Sequence, residues 1–275
     1  MFARPILATV LLAASLAPAG AQSADGVGDL IEALRLPEMV AIMRDEGLSY
    51  GDDIARDLFM GEADPEWSAL VADIYDEDRM MGEVEAAFAE ALDGTDVAPM
   101  IAFLTSEPGQ SIVGYEVAAR RALLDEDVEE AANEIAAAAF ADRTDRFLLV
   151  ERFVEVNDLI ETNVVGAMNS NYAFYIGLLD GGAIPGQTTE DQILADVWAQ
   201  EPEIRSNTTE WVYGFLLTAY APVSDDDLEA YIAFSETDAG QGLNAALFAT
   251  FDGVFENISR ALGLGAARFM AGQDI

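Results

Sequence analysis

The sequence predicts an all-α protein, a helical bundle made of two related multi-helix units. Three observations predict it. Apolar residues recur at steps of three and four along the chain. Acidic caps and prolines mark repeated helix starts. No pair of alternating apolar runs flanks a hairpin turn.

The chain opens with a short segment carrying Arg4, continues through an apolar run from Ile6 to Ala19, and reaches Ala19-Gly20-Ala21. A small positive start, a short apolar stretch and small residues at the cleavage positions form a secretory signal. Cleavage is expected after Ala21. The run is shorter than a membrane span and contains Pro18, so no stable span is expected in the mature chain. There is no Cys for lipid attachment and no twin arginine near the start. The expected destination is the periplasm or the exterior by the general secretory route. The expected organisation is a signal peptide at 1–21, a helical unit at 22–145 and a second at 146–275.

Helix starts follow in order. Asp64-Pro65-Glu66 supplies a cap, a proline for the first turn and an acid beside the positive end of the helix dipole. Thr95-Asp96, Thr189-Glu190-Asp191 and Ser224 with Asp225, Asp226 and Asp227 repeat that logic. After Gly109, a stripe of Val113, Val117, Leu124, Val128, Ala131 and Ile135 predicts one amphipathic helix. From Tyr115 to Val165 there is neither Gly nor Pro, and the break is expected near Asp142 to Asp145, with Thr144 capping the next helix. Asp180 to Thr188 is the one longer loop. After Gly240, Leu243, Leu247, Phe251, Val254, Phe255, Ile258 and Leu262 describe a second long stripe.

The charge is extreme: 51 Asp and Glu against 13 basic residues, all of them Arg. That field repels nucleic acid and anionic lipid, and it attracts cations and basic proteins. Solubility accounts for most of it, because the acids are spread along helix faces. His, Cys and Lys are all missing. Their absence removes the Ser-His-Asp triad, imidazole and thiolate metal sites, disulfides, Schiff bases and the P-loop lysine. No cofactor, metal or catalytic residue is therefore assigned. A carboxylate pair is the chemistry left open, as in a hydrolase of cell-wall glycans. With so many acids, a pair at some suitable separation arises by chance. Neither Asp93-Gly94-Thr95-Asp96 nor the cluster Asp73, Asp76, Glu77 and Asp78 has the spacing of a calcium loop. Met39 with Met43 and Met80 with Met81 read as core filler rather than copper ligands.

An internal repeat stands out. Ile101-Ala102-Phe103 recurs as Ile232-Ala233-Phe234 and Gly109-Gln110 as Gly240-Gln241, both at a spacing of 131. Ser106 matches Thr237 in that register, and Trp67 matches Trp198. A search for such periods belongs at the start of any fold argument. Each copy reads as a capped helix, a short break and a long amphipathic helix. The motif residues Phe103, Ser106, Gly109, Gln110, Phe234, Thr237, Gly240 and Gln241 are read as structural. Ser106 would cap, Gly109 would allow close backbone packing or an unusual turn, and Gln110 would bond exposed backbone at the break.

The segments Phe103–Gln110 and Phe234–Gln241 resemble the aromatic-x-x-Ser-x-x-Gly-Gln element of the bacterial family called domain of unknown function 2059, as two degenerate copies. The resemblance implies an exported helical protein with no established activity. Here Glu107 separates Ser106 from Pro108, and Ser111 and Gly242 stand where the family carries a basic residue. The expected role is a non-enzymatic binding or envelope-associated protein, acting through a protein partner or self-association. The alternatives are the carboxylate hydrolase and low-affinity cation binding by the acidic surface.

Overall fold

A computed structural model describes residues 19–59, 64–184 and 188–273, and every regular element among them is an α-helix. The expected signal peptide falls outside the described residues as far as residue 18. The helices run α1 (Ala19–Ala33), α2 (Leu36–Phe59), α3 (Pro65–Ile74), α4 (Glu77–Ala91), α5 (Ala98–Leu104), α6 (Glu107–Ala122) and α7 (Glu126–Asp142). They continue as α8 (Asp145–Val156), α9 (Leu159–Asp180), α10 (Glu190–Ala199), α11 (Glu201–Tyr220), α12 (Asp225–Ser235) and α13 (Asp238–Gln273).

Side-chain caps begin many of these helices. Asp64 accepts from Glu66 N, Thr144 from Phe147 N and Ser224 from Asp227 N. Thr189 and Gln192 form a reciprocal capping box. Thr95-Asp96 differs: the cap position is Val97, and Asp96 accepts from Ala98 N just before α5. Of the acid cluster near residue 75, Asp76 caps α4 and Asp73 pairs with Arg79.

The stripe from Val113 to Ile135 does not form one helix. The chain breaks at Leu123–Asp125, where Asp125 caps α7 by accepting from Asp127 N. The break rotates the buried face. Ala132 and Ala136 are buried, while Leu124, Val128 and Ile135 are exposed. Alanine at the contact lets α7 lie close on α11, so the smaller side chains win the interior. A further break separates α8 from α9, where Asp158 adopts a left-handed φ of 50°. Arg35 does the same between α1 and α2, with φ 51°. The α8–α9 break carries neither Gly nor Pro, whereas Pro37 at the second position of α2 marks the first break in the sequence.

The cores interleave the two sequence halves. The first gathers residues of α1 to α6 with α13, including Leu243, Val254, Ile258 and Leu262. At its centre Trp67 donates to the Gly51 carbonyl at 2.8 Å and meets Phe59 and Phe269 edge-on. The second core surrounds Phe147, Phe153, Tyr213 and Tyr220 on α8 and α11, with Ile112 from α6 and Ile232 from α12. A small third cluster joins α9 to α10. Each of the two larger cores draws residues from both sides of residue 145.

α13 crosses α9 at backbone distance. A Cβ on Gly263 would sit 2.0 Å from the Phe174 carbonyl oxygen, and one on Gly177 would sit 2.3 Å from that of Arg260. Helix pairing follows a pattern in the two halves: α1 packs on α2, α4 and α5, and α8 packs on α9, α11 and α12. The crossing is reciprocal, with α5 against α13 and α12 against α6. Trp198 does not share the place of Trp67. It ends α10 and is 61% exposed, whereas Trp67 begins α3 fully buried.

Candidate binding cavity and motif corners

The motif residues build two corners of the same local chemistry. Ser106 Oγ donates to the Phe103 carbonyl at 2.6 Å and accepts from Gly109 N at 3.3 Å. Thr237 Oγ1 donates to the Phe234 carbonyl at 2.6 Å and accepts from Gly240 N at 3.0 Å. Each hydroxyl therefore closes one helix and caps the next, serving two groups left free at helix ends. Gln110 Nε2 donates to the Thr105 carbonyl at 2.9 Å. Gln241 Nε2 reaches the Ser235 carbonyl at 2.7 Å and also that of Val156 at 3.0 Å, tying α13 to the end of α8.

Gly109 and Gly240 are required for space, since both lie in ordinary helical backbone. A Cβ on Gly109 would fall 2.2 Å from the Phe103 oxygen, and one on Gly240 would fall 2.2 Å from the Phe234 oxygen. Between the corners, the rings of Phe103 and Phe234 stack with centroids 4.3 Å apart and planes only 2° from parallel. The eight motif residues thus meet through one aromatic contact.

Beside the second corner lies a cavity of about 620 Å³, bounded by α2, α6, α8, α9, α11, α12 and α13. Its wall is mostly apolar: Met39, Phe215, Leu247, Phe248, Phe251 and Phe255 face it. The volume lies within the range of small-molecule sites, and so does the composition of the wall. Phe234, Ser235 and Gly240 belong to the wall, so the motif is contiguous with the cavity.

Three charged side chains line it: Glu116, Arg120 and Asp252. Arg120 is held by Glu46 of α2 through two bonds of 2.6 and 2.8 Å, and its guanidinium lies over Trp211, 4.7 Å from the ring centre. Glu116, one turn earlier on α6, has no basic partner among the described residues. Its Oε1 accepts from Tyr220 Oη at 2.7 Å. Burial pushes the Glu116 carboxyl up to about 7, with the tyrosine bond opposing the rise. The Tyr220 and Tyr231 phenols are themselves pushed well above their usual value, first by burial and then by the Glu116 charge. Asp252 is raised by burial and by Glu256.

The carboxyl that raises Asp252 is Glu256, whereas burial is what raises Glu116. Among the described residues no group of three or more Asp or Glu is placed to hold a metal ion, and no helix is long and apolar enough to cross a membrane.

The cavity acid had a faint trace in the sequence. On α6, Glu116 interrupts the buried face formed by Ile112, Val113 and Val117. An acid on an apolar stripe is a candidate for special burial, but 51 acids obscure it. Tyr220, Tyr231 and Trp211 are brought to Glu116 or Arg120 from distant helices, and no spacing signals that.

Residues 78–138 match the family described as "Uncharacterized protein conserved in bacteria (DUF2059)". That segment holds the first motif corner and Glu116, and it ends before α8. No curated protein and no solved structure matches the chain.

Proposed function

We propose that this chain is an exported, non-enzymatic binding protein that holds a largely apolar small molecule between its two helical halves. The cavity carries the proposal. About 620 Å³ of apolar, aromatic-lined space opens among seven helices, the size and character of small-molecule sites. The signal pattern at 1–21 is what supports export to the periplasm or the exterior.

The two halves are read as copies of one ancestral unit, the second degenerate. Support comes from the matching hydroxyl bonds of Ser106 and Thr237, the like positions of Gly109 and Gly240, and the Phe103–Phe234 stack. The left-handed joints at Arg35 and Asp158 add to it. A cavity at the seam of two such units is a natural place for a ligand that neither unit encloses alone.

Titration with N-phenyl-1-naphthylamine, a neutral dye that brightens in apolar surroundings, tests the site. The expected result is saturable one-to-one binding that weakens at least tenfold in Ala167→Phe, which fills the cavity from α9. No binding, or equal binding to both proteins, would remove the cavity as a ligand site.

A protein partner or a second copy is the other reading, favoured by the exposed Leu194 and Trp198 one turn apart on α10. A sedimentation coefficient rising with concentration would support self-association through that face. Loss of the rise in Trp198→Ser would place it there, and a constant coefficient would remove self-association.

A further inference from the structure

We propose that the occupant of this cavity is an organic cation with an apolar body, an amine or quaternary ammonium whose charged end sits beside Glu116. The proposal rests on the cavity being a ligand site and adds the chemical class of the ligand.

The charges around the cavity point one way. Arg120, the one basic residue in the wall among the described residues, is already paired with Glu46 and covered by Trp211. Glu116 and Asp252 make no ion pair among the described residues. An ionised carboxylate in such surroundings is costly unless it gains a proton or a cation. Without a cation beside it, burial favours the protonated form of Glu116. A bound ammonium would offset the cost with charge, and it would displace that proton.

The surrounding rings suit the same guest. Tyr220 and Tyr231 stand at Glu116, and Trp211, Phe215 and Phe248 continue the wall. Aromatic faces attract ammonium groups, most strongly where water is excluded. A fatty acid would instead bring a further negative charge beside two acids that lack a counterion. The formal charge of −38 works in the same direction at long range, concentrating cations and repelling anions.

The groups facing Glu116 define its pH response. Tyr220 comes from α11 and Tyr231 from α12. Arg120 lies one turn along α6 with Glu46 of α2, and α5 contributes no titratable side chain. Burial keeps both phenols protonated across the neutral range, so Glu116 is the group that changes there.

Calorimetry of the mature protein with three probes of equal chain length tests the proposal: dodecyltrimethylammonium, dodecan-1-ol and dodecanoate, each below its micelle concentration and in 0.3 M salt. The ammonium is expected to bind at least tenfold more tightly than the alcohol, with dodecanoate weakest. Its affinity should rise between pH 5.5 and 8, and Glu116→Gln should lower it about tenfold while leaving the alcohol unchanged. Asp127→Asn, on the exposed start of α7, should change nothing. Equal affinity for all three probes, tightest binding of dodecanoate, or an ammonium affinity indifferent to Glu116→Gln would overturn the cation assignment and leave the cavity as a neutral site. Failure of every probe would overturn the cavity reading itself.

Discussion

Gly109→Ala is expected to lower the melting temperature by roughly 10 °C, the largest loss expected from adding a single methyl group at either motif corner. The added Cβ would fall 2.2 Å from the Phe103 carbonyl oxygen and 2.9 Å from the Leu104 Cα. Both obstacles are backbone, so no side-chain rotation relieves the clash. Either α5 must shift from α6, disturbing the Ser106 cap and the Phe103–Phe234 stack, or α6 must start later. Overpacking of this kind costs about 3 kcal/mol, and a chain of this size loses a few degrees for each kcal/mol. Gly240→Ala faces the same oxygen at the second corner, 2.2 Å from Phe234, and is expected to behave alike. Gly82 is the control. It lies inside α4, is exposed and has nothing within 4 Å of its Cβ position. Gly82→Ala should therefore stabilise the protein by up to about 1 kcal/mol, because alanine is the better helix former. Thermal melts followed by circular dichroism read all three. Equal, small effects at Gly109 and Gly82 would mean that the corner is not packed backbone against backbone.

Glu116→Gln is expected to stabilise the ligand-free protein, and only at high pH. Burial pushes the folded carboxyl up to about 7, from the ordinary 4.5 that it keeps in the unfolded chain. A folded-state value raised above the unfolded one means that folding takes up a proton between those limits. Stability is then lost as pH climbs through that window, and the penalty is complete above 7. Glutamine keeps an oxygen to accept the Tyr220 hydroxyl bond and never ionises. At pH 8 the variant should therefore be more stable by about 2 to 3 kcal/mol, and at pH 4 the two proteins should melt together. Denaturant unfolding at pH 4, 6 and 8 measures the difference. A constant gap across pH, or a variant less stable at pH 8, would show that Glu116 is already neutralised in the folded state.

The helical class was legible because it depends on local spacing. Leu243 to Leu262 lie along one helix, and Asp64, Thr144, Thr189 and Ser224 each cap the helix that follows. These features need only neighbours in sequence. The break at Leu123–Asp125 was missed because Val128 and Ile135 look like core residues, yet α7 buries the alanines beside them. Contact distance between α7 and α11 decides that choice, and the distance is a tertiary property. The Trp67–Trp198 match went astray for a related reason. The register of 131 holds from α5 onward, but α3 and α10 start 125 residues apart, so the two indoles occupy opposite ends of their helices.

The site was the least legible part. The motif residues announced a corner, and their hydroxyls and glycines occupy one. The cavity depends on helices from both halves leaving space between them, and no motif encodes a space. Glu116 gained its character from burial against helices distant in the chain, where Tyr220, more than a hundred residues away, donates to it. What the sequence did convey was elimination. The lack of His, Cys and Lys removes the common nucleophiles and bases, and it says nothing of where a cavity lies.

Short-range quenching by 12-bromododecan-1-ol tests the central claim most directly, because bromine quenches tryptophan emission only near contact. Trp211 borders the cavity, Trp198 stands on the exposed face of α10, and Trp67 is sealed in the first core. Trp198→Phe should retain strong saturable quenching, and Trp211→Phe should lose most of it while still binding the dye N-phenyl-1-naphthylamine. Quenching that survives in Trp211→Phe and vanishes in Trp198→Phe would place the ligand on the outer face of α10 and contradict a binding cavity between the halves.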